Sequence, residues 1–270
     1  MRPDLVWHAR QQIARNRRNP LVRGVAAIAE FYLRAYHNEG NPNFDHNGER
    51  FLMERLGHRM GDRALTIWDV GAHEGEWSQL AHGYLPQAHI LSFEVVPSVF
   101  RRIPPQPWRE AHNIGLSDQD GHVGVTVAEG WDTASAIEPR RGHRFFEDGR
   151  VEHCTVARGD TLIANGRPRP DFLKIDTEGH EVPVLRGLTG LLASAPPEII
   201  QLEYGQTYIP GGYSLRNLFD LLAPHGYRIG RLHPGHVDYF DYGYHRDDFR
   251  MSNLVAVRSD ELVALTAPRR

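Results

Sequence analysis

The segment Phe-Leu-Lys-Ile-Asp-Thr-Glu-Gly-His-Glu at 172–181 runs from apolar residues straight into Asp176, Glu178, His180 and Glu181. Three other apolar runs end the same way. Asp69 follows Leu-Thr-Ile-Trp, Glu94 follows Leu-Ser-Phe, and Glu203 follows Ile-Ile-Gln-Leu. Such runs read as buried strands, and open α/β sheets bind ligands at the carboxyl ends of their strands. Acids gathered on one rim repel one another, so the rim is expected to hold a cation or a hydroxylated ligand. Asp176 and Glu203 fall on neighbouring ends if their strands pair, and two carboxylates suit a hard divalent ion such as Mg2+. His180 suits a ligand role or a general base on a hydroxyl. Glu178 and Glu181 fit the site and a first helical turn equally well, since acids favour the positive end of a helix dipole.

Asp69 also opens a second motif, Asp-Val-Gly-Ala-His-Glu-Gly-Glu-Trp-Ser. A strand ends, a turn spaced by Gly71 and Gly75 follows, and a helix-compatible stretch begins. Glycine lets the chain turn sharply and approach a ligand closely. The spacing is not Gly-x-Gly-x-x-Gly, and no Gly-Lys-Ser/Thr follows, so neither a dinucleotide site nor a phosphate loop is indicated. Asp69 and Glu74 flank the turn and would repel a pyrophosphate; a neutral or cationic ligand fits better. An ordinary strand-to-helix connection is the other reading. Glu94 comes 23 positions after Gly71, where a carboxylate can accept both hydroxyls of a ribose; an acid that caps the following helix is the other reading. Asn-Ile-Gly-Leu-Ser-Asp at 113–118 puts Ser117 and Asp118 after a third strand, as an adenine edge or as a plain turn.

These residues need a scaffold. Strand candidates are 65–70, 90–94, 112–116, 172–175 and 199–204, with helical segments in several of the gaps. That alternation predicts a doubly wound α/β fold, a mostly parallel sheet with helices on both faces. Residues 123–127 and 151–156 read as extra strands beside or above the sheet. A helix over 214–223 and strands over 227–232 and 253–257 follow, the latter two as an antiparallel edge. Residues 49–56 read as a helix leading into the core. Before it, 38–48 is polar and reads as a linker, and Val22, Val25, Ala26, Ala29, Leu33 and Tyr36 recur at helical spacing. The division expected is a helical extension and linker over 1–48 and a main domain over 49–270. Early arginines make the extension basic, as a solvated face or as a partner helix in a homodimer.

A chain of 270 residues with net charge −3 is no general nucleic-acid binder. Its single cysteine, Cys154, excludes an intrachain disulfide and a zinc–cysteine cluster. No run reaches transmembrane length, no signal-peptide core opens the chain, and a cytoplasmic protein is expected. The only lysine is Lys174; inside its strand it reads as an ion-pair partner.

The Asp69–Ser78 turn resembles the S-adenosylmethionine turn of class I methyltransferases. With Ser-Phe-Glu-Val-Val-Pro-Ser, Asn-Ile-Gly-Leu-Ser-Asp, Arg-Gly-Asp-Thr-Leu and Lys-Ile-Asp-Thr-Glu-Gly-His-Glu, the chain resembles the FkbM-type methyltransferases over about residues 45 to 258. The resemblance implies a seven-stranded Rossmann-like sheet. It puts S-adenosylmethionine over Gly71, with Asp69, His73 and Gly75 in the same turn. Glu94 then takes the ribose hydroxyls, and Ser117 and Asp118 edge the adenine. Asp176 would lie near the transferred methyl, in an O-methylation. The family commonly has Asn where this chain has His73. On this basis Asp176 and Glu203 hold Mg2+ and the acceptor hydroxyl, with His180 or His143 as the base; without a metal, Asp176 or a histidine serves alone.

A small molecule or an oligosaccharide is the expected acceptor. Tyr204–Tyr213 and Asp238–Asp248 are rich in Tyr, His and Asp, which suit sugar rings; an acidic loop with tyrosine packing is the alternative. Residues 131–144, with Trp131, Thr133, Ser135 and His143, are the expected opposite wall. A saccharide hydroxyl leads, a macrolide or other natural product follows, and a nicotinamide-dependent oxidoreductase is the rival from another class.

Overall fold

A computed structural model describes residues 3–128, 137 and 149–268. The chain divides into two compact units, Met1–Gly40 and Asn41–Arg270. The first contains helices α1 (Pro3–Arg15) and α2 (Pro20–Tyr36). Asn19 caps α2, its side chain accepting from the Leu21 amide at 2.9 Å, and Pro20 occupies the first turn, where no amide is needed. Residues 41–48, read as linker, fall within the second unit, and Asn47 there is buried.

The second unit begins with α3 (Glu49–Met60), β1 (Thr66–Val70), α4 (Glu76–Tyr84), β2 (His89–Phe93), α5 (Pro97–Phe100) and β3 (Arg109–His112). Three strands of a separate small sheet follow, β4 (Gly115–Ser117), β5 (Gly121–Val127) and β6 (Arg150–Arg158). Then come α6 (Gly159–Ala164), β7 (Phe172–Ile175), α7 (Glu181–Arg186), α8 (Thr189–Ser194), β8 (Ile199–Tyr204) and α9 (Leu215–Leu222). The hairpin β9 (Arg228–His233) and β10 (His236–Tyr239), then β11 (Ser252–Val257) and α10 (Asp260–Thr266), complete it.

The main sheet runs β10-β9-β11-β8-β7-β1-β2-β3. Strands β3, β2, β1, β7 and β8 are parallel; β11, β9 and β10 add the antiparallel edge. Seven strands form the expected doubly wound array, and β10 extends it by one. The order reverses between β1 and β7, the switch point where such sheets open a ligand crevice.

Alternation along the strands builds a core on each face. Trp68, Val70, Leu173, Ile175, Ile200 and Leu202 pack with α7, α8 and α9. Ile67, Ile90, Phe172 and Ile199 pack with α3, α4 and α10. The expected strand over 112–116 is in fact two. His112 ends β3 of the main sheet and Gly115 starts β4 of the small one. Asn113 sits between them, its side-chain amide donating to the Glu94 and Val95 carbonyls at 2.8 and 3.2 Å. A polar side chain that takes over backbone acceptors lets the chain leave one sheet for another.

Candidate functional site

Strand register decides which acids meet. Val70 pairs with Ile175, and Ile175 pairs with Leu202. Asp176 and Glu203 are therefore level with each other, one residue further along each strand. Ligand atoms of Asp176, Glu203 and Glu181 all lie within 4.8 Å of one another. Glu181 starts α7, and its carboxylate turns back to accept from the Thr177 amide at 2.7 Å, the Thr177 hydroxyl at 3.1 Å and the Gly179 amide at 3.3 Å. Glu178 does not join that helical turn. Its φ of 57° is left-handed, and it lies in the bend before the helix.

Burial dominates the protonation of this group. It raises Glu181 to about 7, against the backbone amides of Thr177 and Gly179 that favour the anion. Burial, together with the Asp176, Glu178 and Glu181 charges, pushes Glu203 well above the ordinary carboxylate range. Glu203 Oε2 has no hydrogen-bond partner among the described residues. Glu181 Oε2 is free in the same way, and three hard oxygen donors with two such free atoms fit a small divalent cation. A protein cation already reaches one of them: Lys174 Nζ lies 3.4 Å from Asp176 Oδ2.

Lys174 also lies 3.3 Å from Asp69 Oδ1. The row Ser92, Asp69, Lys174, Gln201 is in register across four strands, on the face covered by α3 and α4. Ser78 of α4 donates to Asp69 Oδ2 at 2.6 Å and meets Ser92 Oγ at 2.9 Å. Gln201 donates to Glu49 Oε1 at 2.5 Å, and Asn47 donates to Glu49 Oε2 at 2.6 Å. Burial pulls the Lys174 pKa down, but Asp69, Asp176 and Glu49 outweigh it, and the ammonium stays charged.

The glycine turn lies over this row. The Gly71 and Ala72 amides donate to the Phe93 carbonyl at 2.9 and 3.0 Å. Gly71 has φ 79°, and a Cβ there would collide with the Asp176 carbonyl. Its missing side chain is thus required by the end of β7 whatever ligand is bound. Gly75, with φ 84°, leaves room for the Arg109 guanidinium and takes the N-cap position of α4. His73 has φ 49°, and its amide donates to Glu94 Oε2 at 2.9 Å. The Val96 amide donates to Glu94 Oε1 at 2.8 Å. Burial nevertheless raises the Glu94 carboxyl. The acids flanking the turn are each matched by a cation: Asp69 by Lys174, and Glu74 by Arg102 at 2.7 Å.

His180 is tied to the small sheet. Its Nε2 lies 2.9 Å from Ser117 Oγ, and burial lowers its pKa to about 4 despite Asp118. It does not belong to the three-carboxylate group. Ser117 is buried, and the Asp118 carbonyl accepts from Arg158 at 2.8 Å. In the 238–248 run, Asp238 and Tyr239 belong to β10, and the last two acids hold the loop. Asp247 accepts from the Leu215 amide and the Tyr242 hydroxyl, both at 2.6 Å, and Asp248 accepts two bonds from Arg231 at 3.0 and 3.1 Å. His143, Trp131, Thr133 and Ser135 lie outside the described residues.

Glu49, Ser78, Ser92 and Gln201 escaped the sequence reading. Gln201 carried a signal: it interrupts an apolar run at the same parity as Glu203, which marks a polar position on the buried face that bears Glu203.

Two curated relatives match part of the chain. Hexuronic acid methyltransferase AglP of Haloferax volcanii is 28% identical over 146 residues, 52% of this chain and 56% of that protein. AMB antimetabolite synthetase AmbE of Pseudomonas aeruginosa is 26% identical over 202 residues, 61% of this chain and 10% of that protein. The chain thus spans about half of the first and a tenth of the second. A solved FkbM methyltransferase from Methylobacillus flagellatus is 17% identical with a TM-score of 0.45, covering 72% of this chain and 43% of its own. The model of the methyltransferase FkbM domain matches residues 69–229, from the acid before the glycine turn to the first antiparallel edge strand. That span holds Asp69, Glu94, Asp176, His180, Glu181 and Glu203 and more than half of the sequence, so the chain belongs to the FkbM methyltransferase family.

Proposed function

We propose that this methyltransferase takes its methyl group from S-adenosylmethionine and places it on a hydroxyl of a saccharide, as a glycan, oligosaccharide or glycolipid precursor. The observation that carries the reading is Asp176, at the switch point beside the Gly71 turn and within 4.8 Å of two further carboxylates. The hexuronic acid methyltransferase among its relatives supports a sugar acceptor.

S-adenosylmethionine supplies an electrophilic methyl on a cationic sulfur. Glu94 receives its ribose hydroxyls, each carboxylate oxygen keeping a lone pair beyond the backbone bond it already accepts. Gly71, His73 and Gly75 bring backbone against it, and Ser117 and Asp118 border the adenine. Asp69 acts from beneath, by holding Lys174 and the floor of the turn. Asp176 orients the acceptor hydroxyl and would take its proton as the oxygen bonds to the methyl carbon and the carbon–sulfur bond breaks, its electron pair staying on the sulfur. Positioning supplies much of the rate, and a base relieves a poor nucleophile. His180, neutral at neutral pH, is a second base, and His143 a third. Asp176 and Glu203, with Glu181 beside them, would hold Mg2+, and the ion would acidify the acceptor hydroxyl.

A second reading, transfer to a natural-product hydroxyl, is favoured by the match to the antimetabolite synthetase. Family membership sets aside the oxidoreductase. The test is transfer of labelled methyl from S-adenosylmethionine to a panel of uronic acids, neutral sugars and polyketide alcohols. Transfer to sugar hydroxyls is expected; transfer confined to polyketide alcohols selects the second reading. Absence of S-adenosylmethionine binding by calorimetry at millimolar concentration rejects both.

A further inference from the structure

Helix α2 has no buried residue. Leu21, Val25, Ile28, Phe31, Tyr32 and Tyr36 are all exposed, Leu21 at 80% and Phe31 at 74%. At about 100° per residue, Leu21, Val25, Tyr32 and Tyr36 fall within roughly 60° of one another. Phe31 and Leu33 widen the apolar arc to about 200°, while Arg23, Glu30 and Arg34 share about 40°. A two-helix dimer seam needs a narrow stripe. An arc this wide, with aromatic side chains along it, suits immersion in an apolar medium with only a thin polar edge left in water. The 17 residues make a rod of about 25 Å, short of a bilayer core. Among the described residues no helix is long and apolar enough to cross a membrane.

Charge selects the medium. Residues 1–40 carry seven arginines against three acids, a net +4, which leaves −7 of the chain's −3 on residues 41–270. Arg15, Arg17, Arg18 and Arg23 crowd the junction of α1 and α2. We infer that α2 lies flat in the interface of a bilayer containing anionic phospholipid, its apolar arc among the acyl chains and the arginines on the phosphates. The inference is independent of the acceptor, since it rests on α2 and its flanking charge alone.

The full chain is floated with vesicles of phosphatidylcholine alone and with about one part in four of phosphatidylglycerol. Recovery is expected to be at least about tenfold higher with the anionic lipid and to fall as salt rises. Val25→Asp with Tyr32→Asp should lower recovery at least about tenfold at an unchanged unfolding midpoint, because both side chains are exposed. Arg17→Gln with Arg18→Gln should remove much of the preference for anionic lipid. Equal recovery on both vesicles, or none on either, overturns the inference. So does a dimer in vesicle-free buffer that the Asp variant dissociates without any vesicle binding.

Discussion

The Lys174 ammonium lies 3.3 Å from the Asp69 carboxylate, and both side chains are almost wholly buried. The pair joins β1 to β7 directly beneath the turn proposed to carry the cofactor. Replacing one partner leaves the other charged in a low-dielectric interior, at a cost of about 3–5 kcal/mol. Lys174→Met should lower the urea unfolding free energy by that amount, whereas the exposed Arg216→Gln should change it by less than about 0.5 kcal/mol. Equal, small losses for the two would show that the buried pair does not hold the strands.

Glu94 is the residue on which the cofactor reading depends most. Charged hydrogen bonds contribute about 1.5–3 kcal/mol each, so Glu94→Gln should weaken S-adenosylmethionine binding about tenfold and Glu94→Ala about a hundredfold. Isothermal calorimetry reads both. Unchanged affinity in the alanine variant removes Glu94 from the ribose site.

Glu181 and His180 pull stability in opposite directions as pH rises. The folded pKa of Glu181, about 7, lies above its ordinary 4.5, so its contribution is complete below pH 4.5 and lost as pH rises through 7. The folded pKa of His180, about 4, lies below its ordinary 6.5, so its contribution is complete above 6.5 and lost as pH falls through 4. The two overlap in wild type. Glu181→Gln, which keeps the acceptor for Thr177 and Gly179, separates them. Between pH 4.5 and 7 in EDTA, wild type should lose about 3 kcal/mol relative to the variant, measured by denaturant unfolding. Parallel curves would mean that Glu181 is not held neutral by burial.

Metal dependence has its own readout. If Mg2+ acts between Asp176 and Glu203, EDTA should lower methyl transfer by at least about tenfold, with recovery on added Mg2+ and not on added Ca2+, which prefers a larger cage. A rate indifferent to EDTA leaves Lys174 as the cation next to Asp176.

The rim was legible because each strand announces itself twice, by an apolar run and by the acid that ends it. Asp69, Glu94, Asp176 and Glu203 could be placed from that pattern alone. What lies beneath the rim was not. Glu49 meets Gln201 across 152 residues, and no local pattern links them. The break at Asn113 was hidden because His112 to Leu116 reads as one strand until the side-chain amide is seen holding the Glu94 and Val95 carbonyls. Gly71 looked like a ligand-facing glycine, yet its space is taken by the Asp176 backbone. The flanking acids Asp69 and Glu74 looked like a welcome for a cation, but Lys174 and Arg102 already pair with them.

Methyl transfer depends on the orientation of the acceptor hydroxyl by Asp176. The direct measurement is labelled-methyl transfer from S-adenosylmethionine to the best sugar acceptor by wild type and Asp176→Asn, with cofactor affinity determined on the same samples. Transfer by wild type is expected, with a loss of about 10²–10⁴-fold in kcat for the variant and cofactor affinity within about threefold of wild type. A variant that transfers methyl at the wild-type rate with intact cofactor binding would contradict that dependence.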